Sequence, residues 1–480
     1  MKTVLPMMAL AATASAGTMS LDIAKAPASS ASTQARRHAR YLAARDKTQT
    51  VALPSLGDEY IAQVSIGTPA QNVQVQIDTG SSDFFVIAEG TEFCEDPSNK
   101  CGPGYDIDKS NTATKVNSTD ISGIVLFNTT FADKTGVSGP FIKEDIVIGD
   151  IKVKQQIMGY GTTTSTNLGI MGLAFDALES TDDGVSNITY PSFLDNLVTQ
   201  GVINKRFFSL FLNSLQANKG SLLFGGVDTE RYYDSLVKLP VYPDPDTGMI
   251  GGWVVKLDAV SATGIDLPPL ANNTLVTLDS GTTDTLLPAA QAEPIFDYLG
   301  AIGFKGSTSA FDGKFADCVH TKDNVTFTFE LGGTKFYMPI SNFVIDQYTD
   351  KEQAALKADL GSATKNWSRV CSVGFEAAGD DGLLFGDSFL RALYVVHDVD
   401  NQMVGLAQAN LQSTKTNVIE ISKTDGIPDN KGSPVPTQVV QTGQDGTPKQ
   451  SGDKSGAQSS VHVRTTTLFL ATILAVLNVL

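Results

Sequence analysis

Val-Gln-Val-Gln-Ile-Asp-Thr-Gly-Ser-Ser-Asp-Phe-Phe-Val, residues 73–86, is the stretch of this sequence that decides the fold. Its first residues alternate between apolar side chains and glutamine, and this period of two predicts a half-buried β-strand. The predicted strand leads directly into Asp78-Thr79-Gly80-Ser81, a carboxylate followed by a glycine turn. Burying a lone carboxylate is unfavourable, so its position at the end of a strand needs a chemical reason.

The second half of the chain repeats this pattern. A short β-type run, Leu275–Leu278, ends in Asp279-Ser280-Gly281-Thr282. Each copy is followed at a distance by two apolar residues and a glycine, Ile170-Met171-Gly172 after the first and Leu384-Phe385-Gly386 after the second. Such self-similarity predicts a duplicated β-unit with pseudo-twofold symmetry, whose axis would bring the two aspartates together.

Two aspartates at one site cannot both ionise at low free energy, so Asp78 and Asp279 are expected to share one proton at mildly acidic pH. The ionised carboxylate can then take a proton from water while the protonated one donates to a substrate carbonyl. This chemistry requires no metal and no cofactor. The glycines would allow close backbone approach, and the hydroxyl groups would tie the loops together and orient the carboxylates. The supporting residues predicted in this way are Thr79, Gly80, Ser81, Ser280, Gly281 and Thr282.

Composition favours an all-β or mostly β protein, because glycine is frequent and short Val/Ile/Thr/Phe runs alternate with turn residues. The formal net charge is −17, which argues against nucleic acid and anionic membrane surfaces as partners. Residues 17–50 oppose this trend, with clustered Lys and Arg in a segment rich in helix-forming residues. They predict a propeptide held electrostatically over an acidic cleft, with a disordered basic arm as the alternative.

The N-terminal residues 1–16 combine one lysine, an apolar middle and a small-residue exit, which predicts a secretory signal peptide cleaved after Ala16. The alternative is a short buried helix. In a secreted protein the four cysteines favour two disulfides with three possible pairings, and sequence proximity favours Cys94–Cys101, leaving Cys318–Cys371. Secretion also makes six Asn-x-Ser/Thr sequons candidate glycosylation sites in surface loops: Asn117, Asn128, Asn187, Asn272, Asn324 and Asn366.

The C-terminal part changes composition twice. Secondary-structure signals fade from about residue 411, and residues 411–460 are predicted to form a disordered stalk rich in Ser, Thr, Gly and Pro. Small residues, a polar spacer and an apolar tail follow, so residues 461–480 are predicted to complete a GPI-attachment signal that is removed. Ser455 is the preferred attachment residue, with Gly456 next. A tail-anchoring helix is the alternative.

Several motifs together resemble the pepsin-like aspartic endopeptidases, specifically the fungal secreted and GPI-anchored, yapsin-like members. The resemblance covers residues 58–408, and it implies an all-β, bilobal fold with pseudo-twofold related lobes around a central cleft. It implies an N-terminal lobe over residues 51–240 with a β-hairpin flap, a C-terminal lobe over residues 241–410, Asp78 and Asp279 as the catalytic dyad, and a propeptide that inhibits its own enzyme until removal. The motifs lie at residues 66–69, 78–82, 169–173, 279–283 and 384–391.

Two features depart from, or add to, the family pattern. The flap is expected at residues 128–139, where family members usually carry Tyr at the position of Phe131 and commonly Trp at the position of Phe85. Phenylalanine has neither the hydroxyl nor the indole N–H, so a more apolar flap contact is expected. Asp83 and Asp284 each follow a dyad aspartate by five residues. They are candidate substrate-binding acids that favour Lys or Arg, with loop-capping carboxylates as the alternative.

The sequence therefore predicts a secreted, monomeric endopeptidase that cleaves proteins or peptides at acidic pH. Its expected location is the cell surface, at the plasma membrane or the cell wall, with membrane contact only through the GPI lipid. A non-catalytic surface protein that keeps the fold to bind peptides is the alternative. A sugar hydrolase with two carboxylates fits the aspartates but not the duplicated Gly-Ser/Thr pattern.

Overall fold

The computed structural model of the protein describes residues 18–27 and 58–435, except 98, 100, 132–133, 149–150, 183–186, 218, 245–247, 306–311 and 380–381, together with 441–442 and 448–449. The predicted signal peptide and GPI-attachment signal, with Ser455, lie outside the described residues. Strands dominate the described part, which confirms the predicted all-β class. Among the described residues, no helix has the length and apolar character that crossing a membrane requires.

Strands of the first half alternate with short turns and one longer helix. These strands are β1 (Met19–Pro27), β2 (Asp58–Ile66), β3 (Gln71–Asp78), β4 (Phe84–Ile87), β5 (Thr114–Lys115), β6 (Leu126–Thr130), β7 (Gly136–Ile148), β8 (Ile151–Gly161), β9 (Thr163–Thr164), β10 (Gly169–Gly172), β11 (Phe207–Phe211), β12 (Lys219–Phe224), β13 (Gly226–Asp228) and β14 (Val237–Pro240).

The second half continues in the same way. Its strands are β15 (Val254–Lys256), β16 (Ala259–Ala262), β17 (Leu275–Leu278), β18 (Thr285–Leu287), β19 (Ile302–Lys305), β20 (Asp312–Asp317), β21 (Thr326–Leu331), β22 (Thr334–Pro339), β23 (Val344–Ile345), β24 (Val370–Val373), β25 (Phe375–Ala377), β26 (Leu384–Phe385), β27 (Leu393–Asp398), β28 (Met403–Gln408), β29 (Val418–Glu420), β30 (Gln441–Thr442) and β31 (Pro448–Lys449). The helices are α1 (Glu92–Glu95), α2 (Phe193–Thr199), α3 (Ala289–Leu299), α4 (Asp350–Leu360) and α5 (Asp387–Leu390).

A large sheet joins the two halves. Its main order is β14-β28-β27-β11-β12-β1-β2-β3-β10-β4-β8-β7-β5, with β6 and β9 paired to β7. Smaller sheets complete the second lobe, in the orders β15-β17-β26-β18-β25, β16-β21-β22 and β19-β20-β24-β23. Strand β27, late in the chain, pairs with β11, and β28 pairs with β27 and β14. These pairings join the two halves of the chain. The result is the bilobal fold that the resemblance implied.

The internal repeat appears as two equivalent three-strand units. Strand β10 pairs in parallel with β3 and antiparallel with β4, and β26 pairs in parallel with β17 and antiparallel with β18. Gly172 lies opposite Asp78 in the first unit, and Phe385 lies opposite Leu278 in the second. Each apolar-apolar-Gly motif therefore lies beside the strand that leads to the aspartate of its own half, β3 for Asp78 and β17 for Asp279.

Close backbone approach explains the glycine of each motif. A Cβ on Gly172 would meet the backbone of residues 82–83, and a Cβ on Gly386 would meet the carbonyl oxygens of Thr282 and Asp284. In both units the chain that leaves the dyad aspartate crosses over this glycine. Any larger residue would push that chain outward and displace the aspartate loop.

Strand β3 is more buried than predicted. Its two glutamines, Gln74 and Gln76, are only 3% and 4% exposed. The face that the alternating pattern assigned to solvent is covered, and Gln76 Nε2 donates a 3.2 Å hydrogen bond to the carbonyl of Gly281 in the other lobe. The half-buried prediction is wrong because a period of two identifies the two faces of a strand but not what later packs on them.

The described part of the predicted propeptide lies in the large sheet and not over the cleft. Strand β1 pairs antiparallel with both β12 and β2, and Ile23 in it is 1% exposed. Residues 28–50, which hold most of the clustered positive charge, lie outside the described residues. Backbone pairing, which does not depend on charge, therefore holds the described part.

Both disulfides have the pairing that sequence proximity favoured. Cys94 is bonded to Cys101 and Cys318 to Cys371, with Cα–Cα distances of 5.3 Å and 5.0 Å. The first closes a small loop after β4, and the second ties the end of β20 to β24.

The main core lies beneath the two aspartate loops. It includes Ile77 and Leu278, the residues that precede the two aspartates, together with the fully buried Trp253. The indole N–H of Trp253 donates a 3.0 Å hydrogen bond to the carbonyl of Leu173, so the second half of the chain is tied to the first at this point. One continuous core thus supports both halves of the repeat.

Residues 411–435, here named the C-terminal strap, do not form the disordered stalk that composition predicted. Strand β29 in the strap pairs with β13, and Ile421 and Ile427 are 2% and 6% exposed. These isoleucines pack in a second apolar cluster with Tyr394 and Val396 of β27. The alternate residues of the same strand, Leu393 and Val395, belong to the main core. The strap therefore covers the sheet face opposite the main core, and the disorder prediction is wrong for these residues.

Polar contacts also hold the strap. The buried ammonium group of Lys205 donates to the carbonyl of Asp425 at 2.8 Å and pairs with buried Asp398 at 2.8 Å. The Tyr232 hydroxyl donates to the carbonyl of Asn430 at 2.9 Å. Because a buried ammonium group needs several acceptors, the strap completes an ion-pair site in the body of the protein.

We expect the strap to contribute substantially to stability. Ile421→Ala should lower the free energy of unfolding by about 2–4 kcal/mol, because it leaves a cavity in the second apolar cluster. The control Val418→Ala, at a side chain 44% exposed, should change it by less than about 0.5 kcal/mol. Urea unfolding measures both. A chain ending at Asn410 that unfolds at the same urea concentration as one ending at Val435 would contradict this interpretation.

Candidate active site

The two aspartate loops meet and hold each other by a symmetric set of hydrogen bonds. The backbone N–H of Ser280 donates to Thr79 Oγ1 at 2.9 Å, and the N–H of Thr79 donates to Ser280 Oγ at 3.2 Å. Each hydroxyl then donates across to the other strand, Thr79 to the carbonyl of Leu278 and Ser280 to that of Ile77. Both hydroxyls are buried, so every donor and acceptor in this crossing is used.

The carboxylate of Asp78 is oriented by its own loop. Its Oδ1 accepts a 2.8 Å hydrogen bond from the N–H of Gly80, and its Oδ2 accepts one of 2.5 Å from the Ser81 hydroxyl. The side chain is 6% exposed. Two donors on separate oxygens fix the plane of the carboxylate.

The carboxylate of Asp279 is held in the same way. Its Oδ1 accepts a 2.8 Å hydrogen bond from the N–H of Gly281, and its Oδ2 accepts one of 2.5 Å from the Thr282 hydroxyl. A Cβ on Gly80 would collide with the Asp279 carboxylate, and one on Gly281 with that of Asp78. The absence of a side chain at both glycines therefore lets the two carboxylates face each other.

Burial, and next the charge of the adjacent Asp279, raises the pKa of Asp78 above that of an ordinary aspartate. Hydrogen bonds from Ser81 and Gly80 partly oppose this rise. Two carboxyl groups in contact titrate as a pair, so the proton belongs to the pair. The site therefore retains one proton at pH values where exposed aspartates are fully ionised.

The carboxylates lie in a cleft between the lobes whose walls combine hydroxyl-bearing and apolar side chains. Outside the two aspartate loops, the lining residues are Gln76, Asp83, Thr129, Thr130, Phe131, Thr135, Thr166, Leu168, Ile170, Leu178, Thr277 and Leu384. Of these, Phe131 and Asp83 are individually predicted from the sequence as candidate substrate contacts. Leu178 stands out because it is 42% exposed, although large apolar side chains are usually buried.

A β-hairpin stands where the flap was expected. Strands β6 and β7 pair with Thr130 opposite Gly136, and the N–H of Phe131 donates a 2.8 Å hydrogen bond to the carbonyl of Thr135 across the turn. The rings of Phe131 and Phe85 lie 6.1 Å apart, and Phe85 is 1% exposed. The two phenylalanines thus form an apolar contact between the flap and strand β4. Phe131 lines the cleft, whereas Phe85 supports it from below.

Asp83 and Asp284 do not form a pair of substrate-facing acids. Asp284 is buried and is not among the residues that line the cleft. Asp83 lies in the cleft wall, but its oxygens accept hydrogen bonds from the Tyr190 hydroxyl at 2.6 Å and from the N–H and hydroxyl of Ser180 at 2.9 Å and 3.1 Å. The alternative reading of Asp83 as a loop-holding carboxylate is therefore favoured. It anchors the loop that carries Leu178.

Sequence patterns missed the partners of Asp83. Tyr190 is 4% exposed, and its N–H donates a 2.8 Å hydrogen bond to the carboxyl group of Glu179, which is 2% exposed. Both lie outside any motif, about a hundred residues from Asp83 in sequence. A tyrosine and a glutamate in a loop give no pattern, so only the tertiary structure reveals this cluster.

Residues 59–409 match the family described as eukaryotic aspartyl protease. The chain belongs to this family. It is 31% identical over 392 residues to "Probable aspartic-type endopeptidase opsB" of Aspergillus oryzae, covering 79% of this chain and 74% of that protein. It is 28% identical over 389 residues to "Secreted aspartic protease 3" of Candida albicans, covering 78% of this chain and 86% of that protein. This aspartic protease is accordingly a hydrolase of the endopeptidase type.

A solved structure supports the fold of this aspartic protease. The crystal structure of aspartic proteinase from Irpex lacteus superposes with a TM-score of 0.57 at 18% sequence identity, covering 83% of this chain and all of that one. At this identity the likeness concerns the fold alone. It agrees with the bilobal β-architecture described above.

Buried acids should make this protease more stable in acid than at neutral pH. Burial raises the pKa of Glu179 to about 9 and that of Asp83 to about 6. An acid whose pKa is higher in the folded than in the unfolded state stabilises the fold fully below its unfolded pKa. That stabilisation is lost as the pH rises through the folded pKa. For Glu179 this window extends from about pH 4.5 to about pH 9.

We therefore expect Glu179→Gln to unfold at the same temperature as the wild type near pH 4 and several degrees higher near pH 7.5. The amide keeps the shape of the side chain but removes the need to bury a charge. Thermal unfolding followed by circular dichroism measures the difference. The control Glu293→Gln, at an exposed position in α3, should match the wild type at both pH values. A loss of stability in Glu179→Gln at pH 7.5 would contradict the argument.

Proposed function

We propose that this aspartic protease is a secreted, cell-surface-anchored endopeptidase. In this proposal it hydrolyses peptide bonds of proteins at acidic pH, using Asp78 and Asp279 to activate water. The observation that carries the proposal is the symmetric hydrogen bonding that orients both carboxylates toward each other in the cleft. A protein that only binds peptides would gain nothing from holding two acids together at a cost in free energy.

In the proposed reaction one proton is shared by the dyad at the start. The ionised carboxylate takes a proton from a water molecule, whose oxygen attacks the carbonyl carbon of the scissile peptide bond. The protonated carboxyl group donates its proton to the carbonyl oxygen, which gives a neutral tetrahedral diol. The carboxyl group that took the proton from water then gives it to the amide nitrogen, and the other carboxylate takes a proton from a hydroxyl of the diol. The C–N bond breaks, the two peptides are released, and the dyad again holds one shared proton.

Neighbouring residues take supporting roles in this proposal. Thr79 and Ser280 keep the two loops in register, Ser81 and Thr282 fix the outer carboxylate oxygens, and the two glycines allow the approach. The flap, with Phe131 at its tip, would close over substrate and exclude water from the cleft. Its contact with Phe85 supports an apolar closure in place of a hydrogen-bonded one.

Asp78→Asn should lower kcat/KM by about a thousandfold or more on a peptide library near pH 4, because the amide can neither share nor accept the proton. Asp279→Asn should do the same, and a statine-type inhibitor should block the wild type. Activity should fall toward neutral pH as the pair loses its proton, since the pKa of Asp78 is raised. Thr277→Ser, which keeps a hydroxyl in the cleft, serves as the control variant and should retain activity.

Persistent cleavage in both asparagine variants would refute the dyad and favour a contaminating activity. An absence of cleavage in the wild type, with tight binding of the same peptides, would favour the peptide-binding alternative.

The proposal also includes the route to the cell surface. A signal peptide over residues 1–16, a propeptide over residues 17–50 and a GPI signal ending the chain together describe a secreted zymogen of the yapsin-like type. The relative named "Secreted aspartic protease 3" supports secretion. The stalk would then begin after the strap, near residue 436, and lead to attachment at Ser455 in the plasma membrane or cell wall. The enzyme is proposed to act as a monomer.

Deleting residues 461–480 should transfer the enzyme from the cell surface to the medium, because the apolar tail directs lipid attachment. Immunoblotting of cells and medium measures this, and mass spectrometry of the lipid-released protein identifies the attachment residue. Deleting residues 436–450, which shortens the stalk alone, is the matched control and should leave the enzyme on the surface. Surface retention without residues 461–480 would rule out the GPI anchor.

A further inference from the structure

The flap hairpin has two faces of different character. Along strand β6, Phe127 is 1% exposed and Thr129 is half-buried, whereas Leu126, Asn128 and Thr130 are exposed. Side chains of a strand alternate between its faces, so the exposed three share the outer face of the hairpin. The inner face packs on Phe85, whose ring lies 5.4 Å from that of Phe127.

The outer face offers an unusual surface around Asn128. Leu126 is 69% exposed, the highest value among the large exposed apolar side chains of the described residues. The strand register places Leu126 opposite Pro140, which is exposed, and Asn128 opposite the small Ser138. Directly paired residues of antiparallel strands lie on the same face. Asn128 is thus bordered by an apolar pair on one side and a short side chain on the other.

Asn128 is also the first residue of a glycosylation sequon, Asn128-Thr129-Thr130. All six sequon asparagines are exposed, but five precede or follow the regular elements and Asn128 alone lies within a strand. The sequence predicts every sequon in a surface loop, and Asn128 lies in a strand instead. Its side chain carries the acceptor nitrogen on the outer face, and Asn128 itself does not line the cleft, whereas Thr130 further along the same face does.

We propose that Asn128 carries an N-linked oligosaccharide that packs over Leu126 and Pro140 and makes the flap selective for the size of the substrate. The inference rests on the proposed secretion, since the modification occurs in the secretory pathway. In the transfer, Asn128 Nδ2 forms a bond to the first sugar carbon of a lipid-diphosphate-linked oligosaccharide. The amide loses a proton, and the lipid diphosphate leaves.

The geometry gives this glycan a specific effect. It projects from a side chain that does not line the cleft, on the face of the hairpin opposite the buried Phe127, so it leaves the cleft open to an extended short peptide. A folded protein must instead accommodate the whole flap as it closes, including the bulky sugar on its outer face. The glycan therefore slows cleavage of folded proteins and leaves cleavage of short peptides unchanged.

The test compares enzyme purified from a eukaryotic secreting host in three forms: wild type, Asn128→Gln and the control Asn272→Gln. Asn272 is an exposed sequon residue in the second lobe that does not line the cleft. Mass spectrometry of tryptic glycopeptides measures occupancy at each sequon. Cleavage at acidic pH is then measured on native serum albumin and on an octapeptide with the sequence of one albumin cleavage site.

We expect Asn128 to be occupied in the wild type. Asn128→Gln should raise kcat/KM on native albumin by about threefold or more while changing the value for the octapeptide by less than about twofold. Asn272→Gln should match the wild type on both substrates. Removal of glycans from the folded wild type with peptide N-glycosidase should reproduce the Asn128→Gln result, which guards against a folding effect of the substitution.

An unmodified Asn128 in protein whose other sequons carry glycans would overturn the proposal. Equal gains on albumin and octapeptide, or no gain, would overturn the size selection. If the protein is not secreted and no sequon is modified, both the inference and the proposed secretion fail. Secretion with unmodified Asn128 removes only the inference.

Discussion

Two carboxylates that share one proton are the constraint on which the rest of this structure depends. Charge repulsion and the free-energy cost of burial both oppose bringing Asp78 and Asp279 together. The surrounding chain must therefore hold the two carboxylates in place. Glycines remove the side chains that would separate the loops, and crossed hydroxyl–backbone hydrogen bonds lock one loop to the other. The parallel strands β10 and β26 then fix each aspartate-bearing strand from the side. The duplicated architecture places two equivalent aspartate loops against each other.

Several features around the cleft occur in only one lobe and break the pseudo-twofold symmetry. The flap, its Phe131–Phe85 contact and the Asp83–Tyr190–Glu179 cluster all belong to the first lobe. This lobe also buries several acids whose pKa values are raised, mainly by burial. Burial therefore raises the pKa of an acid at the proposed dyad and of two acids in the Asp83–Tyr190–Glu179 cluster.

The sheet that joins the lobes has an outer face that the C-terminal strap covers. Ile421 and Ile427 shield aromatic side chains on β11 and β27, and Asp425 completes the environment of buried Lys205. The strap thus packs on the face of this sheet opposite the main core.

The sequence by itself determined the class of the fold, the duplicated aspartate loops, the supporting glycines and hydroxyls, the position of the flap and both disulfide pairings. These features reside in short-range patterns, such as strand alternation, repeated motifs and cysteine spacing. Only the tertiary structure decided that Gln74 and Gln76 are buried, that Asp83 holds a loop, and that residues 411–435 belong to the body. Each of these depends on which distant segment covers a surface. Composition and periodicity describe a segment's own preference and contain no record of its partner.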